Sequence, residues 1–192
     1  MTSLSDLSTR PTIRDLMRST GVTETGSPSS LLKTARRVAE HRILWGEKVE
    51  FDPAWRRYVR LHRDLSLEVW LICWGFGQDT LLHDHGGSSG AFAVVEGELL
   101  EDFGSVTSSK LTTRRHHTGG GASFGPRYLH NLVAADATPA VSIHVYSPPL
   151  SSMNFYCLVR DGLYHLRCIP TESPEPDTAD LVEEAAVRGT SA

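Results

Sequence analysis

From residue 55 to about 166 the chain is a succession of short β-branched and aromatic runs separated by glycine-rich turns. That texture is how an antiparallel sandwich or barrel reads, since each run is long enough for a strand and each break carries turn residues. The spacing predicts strands over 57–63, 67–74, 81–85, 91–101, 105–113, 121–124, 131–134, 141–147 and 153–159. Upstream the period changes. Ile13, Leu16 and Met17 after Pro11, then Leu31, Leu32, Ala35, Val38 and Ala39 after a Ser/Pro-rich break at 26–30, have helical spacing and predict two short amphipathic helices. The last stretch is acidic, Pro-rich and poor in large apolar residues, so a loose tail with at most one helical turn is expected. The chain thus divides into an N-terminal helical segment (1–50) packed on a β core (51–170), followed by a flexible acidic tail (171–192).

The 192 residues suit one domain, and 40% hydrophobic with 22% charged residues is ordinary globular composition. A net charge of -4 without a Lys/Arg cluster argues against a nucleic-acid partner and leaves small-molecule chemistry. The three cysteines, Cys73, Cys157 and Cys168, form no C-x-x-C pair, which disfavours both a disulfide framework and a zinc knuckle and fits a reducing cytosol. No run approaches the roughly 18 apolar residues of a membrane span, and the N-terminus has no apolar leader core. A soluble, cytoplasmic monomer is expected.

His83 and His85 are one residue apart, and in a strand side chains at i and i+2 leave the same face, so both imidazoles could reach one ion. An isolated H-x-H more often lies on a solvated strand. Here Gly77 precedes the pair by six residues and Gly97 follows by twelve, a frame that resembles the first motif of the cupins, which are jelly-roll β-barrels. Where many cupins place a ligating glutamate this chain has Gly90. Glycine cannot ligate, so a third ligand must come from elsewhere. His130, within FGPRYLHNLV, stands where the second cupin motif has its histidine, with Gly120 and Pro126 before it; Tyr128 and Ala134 replace the usual glycine and asparagine. Three neutral imidazoles would leave a divalent iron its charge and three open positions, which suits a chelating thiolate and O2. Ligand count alone leaves nickel, copper and manganese open.

In SIHVYSPPL, Ser142, His144 and Tyr146 alternate with Val141, Ile143 and Val145, so the polar side chains share one face. Solvent on that face is the ordinary explanation. In a barrel with inward histidines the row could instead line the cavity as a relay in which His144 orients Tyr146.

Taken together, Y-V-R at 58–60, L-I-C-W-G at 71–75, H-D-H-x-x-S at 83–88, the late His130 and S-I-H-V-Y-S-P-P at 142–149 resemble the cysteine dioxygenases, in that family's order. The resemblance implies a cupin with Fe(II) on His83, His85 and His130, Arg60 binding the substrate carboxylate beside Tyr58, and Tyr146 next to substrate and oxygen. It further implies oxidation of L-cysteine by O2 to cysteine sulfinate. The expected partners are therefore a small thiol and O2. Related enzymes for 3-mercaptopropionate have glutamine where this chain has Arg60, so Arg60 favours cysteine. A dioxygenase for another small thiol and a non-catalytic metal-binding sensor are the alternatives. Mammalian members carry a cysteine at the Gly90 position that forms a thioether to the tyrosine; with glycine there, Tyr146 is expected to stay unmodified, and Met153 stands where the family has a further cysteine. Trp70 and Trp74 read as core, Arg56, Arg57 and Arg63 as exposed strand arginines. His116 and His117 read as solvated hairpin residues, and His41, His62 and His165 carry no functional signal.

Overall fold

The computed structural model describes residues 12–20, 26–108, 110–134, 138–159, 162–172 and 178–190. Residues 1–11 and 21–25 of the expected helical segment, and 173–177 and 191–192 of the expected tail, lie outside that set. Both expected helices form: α1 (Ile13–Thr20) and α2 (Pro28–Glu40). Helix α2 starts where its sequence says it should, because the Ser27 hydroxyl accepts the Ser30 N–H and Pro28 needs no partner in the first turn. Its buried Leu31, Ala35 and Val38 recur at helical spacing, pack on the strands Ser89–Glu96 and Ala140–Ser147, and join one apolar cluster with Val69, Leu71, Cys73, Ala91, Ala93, Val141, Ile143 and Val145.

Those eight residues are the outward face of a five-stranded antiparallel sheet. Its order is β1 (Arg57–Arg63), β2 (Glu68–Trp74), β9 (Ala140–Ser147), β4 (Ser89–Glu96), β7 (Gly121–Phe124). A six-stranded antiparallel sheet faces it, ordered β11 (Gly162–Pro170), β10 (Ser152–Val159), β3 (Leu82–His83), β8 (Tyr128–Val133), β5 (Glu98–Ser105), β6 (Thr112–His117). Period-two alternation in β9 thus sends Val141, Ile143 and Val145 out to the helices and Ser142, His144 and Tyr146 in between the sheets. The architecture is the expected mainly-β cupin jelly-roll with N-terminal helices, although the sheets stay two rather than closing into one hydrogen-bonded barrel. Among the described residues no helix is long and apolar enough to cross a membrane.

Several boundaries differ from the sequence reading. The run predicted over 91–101 is two strands, because the chain passes from one sheet to the other at Gly97 (φ 73°), where a Cβ would collide with the Pro139 carbonyl oxygen. The strand expected over 81–85 ends at His83, so His85 projects from a loop. That loop is held by Asp84, whose carboxylate accepts from Gly86 N–H (2.9 Å), Asn154 Nδ2 (2.8 Å) and Tyr156 Oη (2.6 Å). The polar segment TTRRHH is strand β6, and β11 was not foreseen; both are sheet edges, where half-exposed residues blur the apolar period. The tail is also more ordered than expected: α3 (Thr178–Thr190) packs on β10 and β11 through Leu181, 2% exposed, and Glu184 pairs with Arg167.

Candidate metal centre

His83 on β3, His85 two residues later and His130 on β8 converge between the sheets. Each is at most 2% exposed, their ring centroids lie 4.8–5.0 Å apart, and one potential ligand atom from each lies within 4.8 Å of the others. Two rings are oriented by their Nδ1 atoms. His83 Nδ1–H donates to the Leu81 carbonyl (3.0 Å), presented by a backbone with φ 55°, a left-handed conformation unusual for leucine. His130 Nδ1–H donates to Glu101 Oε1 (2.8 Å). In both, Nε2 is then the nitrogen that carries the lone pair.

His85 differs. Its ring lies between Phe124 (4.6 Å, 27°) and Tyr146 (5.2 Å, 29°), and neither ring nitrogen has a hydrogen-bond partner. Burying such a group unpaired costs about 1–3 kcal/mol, and a metal ion is the partner that would relieve it. Burial, and next the adjacent His130, hold His83 and His85 well below the usual histidine range, so their lone pairs stay open to a cation. Three converging imidazole nitrogens of this kind fit a transition-metal ion, with positions left for exogenous ligands.

Behind His130 stands a residue the sequence reading missed. Glu101 on β5 is fully buried and accepts four bonds: Oε1 from His130 Nδ1 and Tyr128 Oη (both 2.8 Å), Oε2 from His116 Nε2 and Arg114 Nε (both 2.7 Å). Burial would raise this carboxyl, but the bonds from His116, His130 and Arg114 outweigh it and hold it well below the usual carboxylate range. His116 is therefore not the solvated residue expected; it is 6% exposed on β6, while His117 beside it does face solvent and pairs with Glu98. The signal for Glu101 lay only in pairing across β5, β6 and β8, at separations of 15 and 29 residues, which a linear pattern does not register.

The β9 row is a hydrogen-bonded chain. Trp74 Nε1–H donates to Ser142 Oγ (2.9 Å), Ser142 Oγ meets His144 Nε2 (2.8 Å), and His144 Nδ1 meets Tyr146 Oη (3.2 Å). Burial, then His130, lower His144 to about 3, so the ring is neutral, with one nitrogen donating and the other accepting. Trp74 is core, as expected, but also anchors this row.

A cavity of about 750 Å³ opens beside His83, His130, His144 and Tyr146. Tyr58 and Trp70 also line it, so Trp70 is a wall of the cavity and not simply core. Arg60, expected to bind the substrate carboxylate, is not among the lining residues; its guanidinium lies 5.4 Å from the ring of Trp70, which is, and 3.2 Å from Glu172 Oε1. Arg56, read from sequence as merely exposed, lines the cavity and lies 5.7 Å from the Trp74 ring. Among the described residues no cysteine lines the cavity; Met153 does.

The model of the family described as "Cysteine dioxygenase type I" matches residues 13–158. The chain is 29% identical over 122 residues to cysteine dioxygenase type 1 of Danio rerio and 26% identical over 125 residues to that of Rattus norvegicus, covering 56% and 58% of this chain. It spans 59% and 60% of the length of those relatives. Among solved structures, it is similar to a cupin superfamily protein from Desulfitobacterium hafniense (9% identity, 54% of this chain, 87% of that one, TM-score 0.46).

Proposed function

The chain belongs to the cysteine dioxygenase type I family, and from that premise we propose that it is an iron-dependent thiol dioxygenase that converts L-cysteine and O2 to cysteine sulfinic acid. Both oxygen atoms end on sulfur, so the reaction balances without an external reductant. The observation that carries the metal reading is His85, a buried ligand-type side chain with both nitrogens unpaired beside two similar rings. Iron, when bound by His83, His85 and His130, supplies the redox chemistry that joins oxygen to sulfur.

The protein's own groups bind and orient. Arg60 takes the substrate carboxylate through its planar fork. Its bond to Glu172 is an exposed pair, worth about 0–1 kcal/mol, and therefore readily exchanged for a substrate. Tyr58 adds a hydroxyl at the same wall. Tyr146, oriented by His144 and Ser142, supplies a hydrogen-bond donor at the reacting end of the cavity. Trp70, Leu150 and Phe155 add apolar surface to a wall that also carries Arg56, Gln78, Asp79 and Thr80.

The test is metal analysis of purified protein coupled to oxygen uptake with cysteine, cysteamine and 3-mercaptopropionate. Stoichiometric iron with uptake greatest for cysteine is expected. Greatest uptake with another thiol would replace the substrate, and iron-loaded protein inert to all three would leave a metal-binding sensor.

A further inference from the structure

Glu101 satisfies two ligand-bearing walls of the cavity at once. It accepts His130 Nδ1–H directly. Through the Tyr128 hydroxyl it also fixes a ring that stacks on Phe124 (4.7 Å, 7°), and Phe124 in turn stacks on His85 (4.6 Å, 27°). His85, with no hydrogen bond of its own, is held in place by this stack and by Tyr146 on its other side. The remaining two lone-pair directions of the carboxylate are occupied by His116 and by Arg114, whose Nη2 also donates to Tyr128 Oη (2.6 Å). An ionised carboxylate is acceptor-only, so it suits four donors arriving together; an amide would bring its own N–H groups against them.

We propose that Glu101 is the positioning residue of the metal centre, fixing His130 in the tautomer that offers Nε2 to the ion and, through Tyr128 and Phe124, setting the plane of His85. The inference rests on the reading of His83, His85 and His130 as ligands, but not on iron, O2 or any thiol. Carboxylates placed behind a ligating histidine typically change metal affinity about ten- to a hundredfold. His116 and Arg114 act one step further out, by holding the carboxylate rather than the ligand.

The experiment is anaerobic titration of the metal-free 192-residue chain with Co(II), followed by its visible d–d absorption, for wild type, Glu101→Gln, Tyr128→Phe and, as control, Glu98→Gln, which breaks exposed pairs on the same strand. Glu101→Gln should weaken Co(II) binding about ten- to a hundredfold and alter the absorption envelope. Tyr128→Phe should alter the envelope with a smaller loss of affinity, and Glu98→Gln should leave both unchanged. A folded Glu101→Gln protein with wild-type affinity and spectrum overturns the proposal. Should that variant not fold, histidine-selective 15N NMR of the metal-free wild type decides instead: His130 protonated on Nδ1 supports the proposal, and protonated on Nε2 overturns it. Wild type that takes up no Co(II) overturns the ligand reading itself, and with it this inference.

Discussion

The ring of Phe124 fills the space in which a side chain at residue 90 would begin: a Cβ on Gly90 would lie 2.5 Å from Phe124 Cε2 and 2.8 Å from Tyr146 Cδ1. Gly90 is therefore a packing requirement of this cavity as well as an absent ligand. Gly90→Cys should lose about 1–3 kcal/mol of stability from overpacking, with part of it recovered in Gly90→Cys/Phe124→Leu, measured by urea denaturation. Unmutated protein should keep its sequence mass after turnover with cysteine; a loss of two hydrogens would reveal a cross-link that this packing does not accommodate.

His85 gives the metal a thermodynamic signature. A ligand that binds only the folded state stabilises it by RT ln(1 + [L]/Kd), about 2.7 kcal/mol at a hundred times Kd. Iron or Co(II) should raise the melting temperature of wild type, while His85→Ala, His83→Ala and His130→Ala should fold without iron retention or a metal-induced shift. A substituted histidine that still allows stoichiometric iron and full turnover does not belong to the ligand set.

Acid should weaken the metal-free protein. His83, His85 and His144 have lowered folded-state values, His144 about 3 against 6.5, so the unfolded chain binds protons that the folded chain refuses. Stability is then fully present above about pH 6.5 and declines below it, by up to ~1.4 kcal/mol per pH unit for each such histidine. Glu101, held low in the fold, adds loss of the same sign at more acidic pH. Urea denaturation across pH 7.5 to 5 measures the slope, and His144→Asn should make it shallower by about one proton; an unchanged slope would show that His144 does not stay neutral.

Arg60 is the proposed clamp for the substrate carboxylate, while Arg56 is the arginine that lines the cavity. Arg60→Ala should lower kcat/KM for cysteine by about 2–3 kcal/mol, roughly 30- to 160-fold, and hardly affect cysteamine, which lacks the carboxylate. Glu172→Ala, by releasing Arg60, should lower KM for cysteine. If Arg56→Ala takes the loss instead, the clamp is Arg56, which lines the cavity, and not Arg60.

Tyr146→Phe removes one hydroxyl at the end of the Trp74, Ser142, His144 row. Iron content should be unchanged and cysteine turnover slower, with the loss in kcat more than in KM. Steady-state kinetics on protein of measured iron content checks this; unimpaired turnover would remove Tyr146 from the chemistry.

What the sequence made legible follows from periodicity. Strand β9 was readable because its polar and apolar faces alternate strictly and both are buried, one against helices and one against the cavity. The three histidines were readable because their frame is local or motif-bound. Glu101 and His116 were not, since β5 and β6 meet only in the folded sheet and TTRRHH has no apolar stripe to announce a buried member. The place of Arg56 in the cavity wall, one residue before β1, and the contact of Arg60 with Glu172, 112 residues away, are not written in the strand's alternation. Helix α3 escaped because its docking depends on one buried leucine and one ion pair.

The placement of sulfur around the cavity bears on how such a protein ages. Under the proposed function the cavity oxidises sulfur, and among the described residues the sulfur-bearing side chain in its lining is Met153, whereas Cys73 is buried on the helix side of the sheet. Oxidation of methionine to its sulfoxide is undone by dedicated reductases, but a cysteine taken to the sulfinic state is in general lost. Under that function, oxidative wear of the cavity lining would fall on a side chain of the repairable kind.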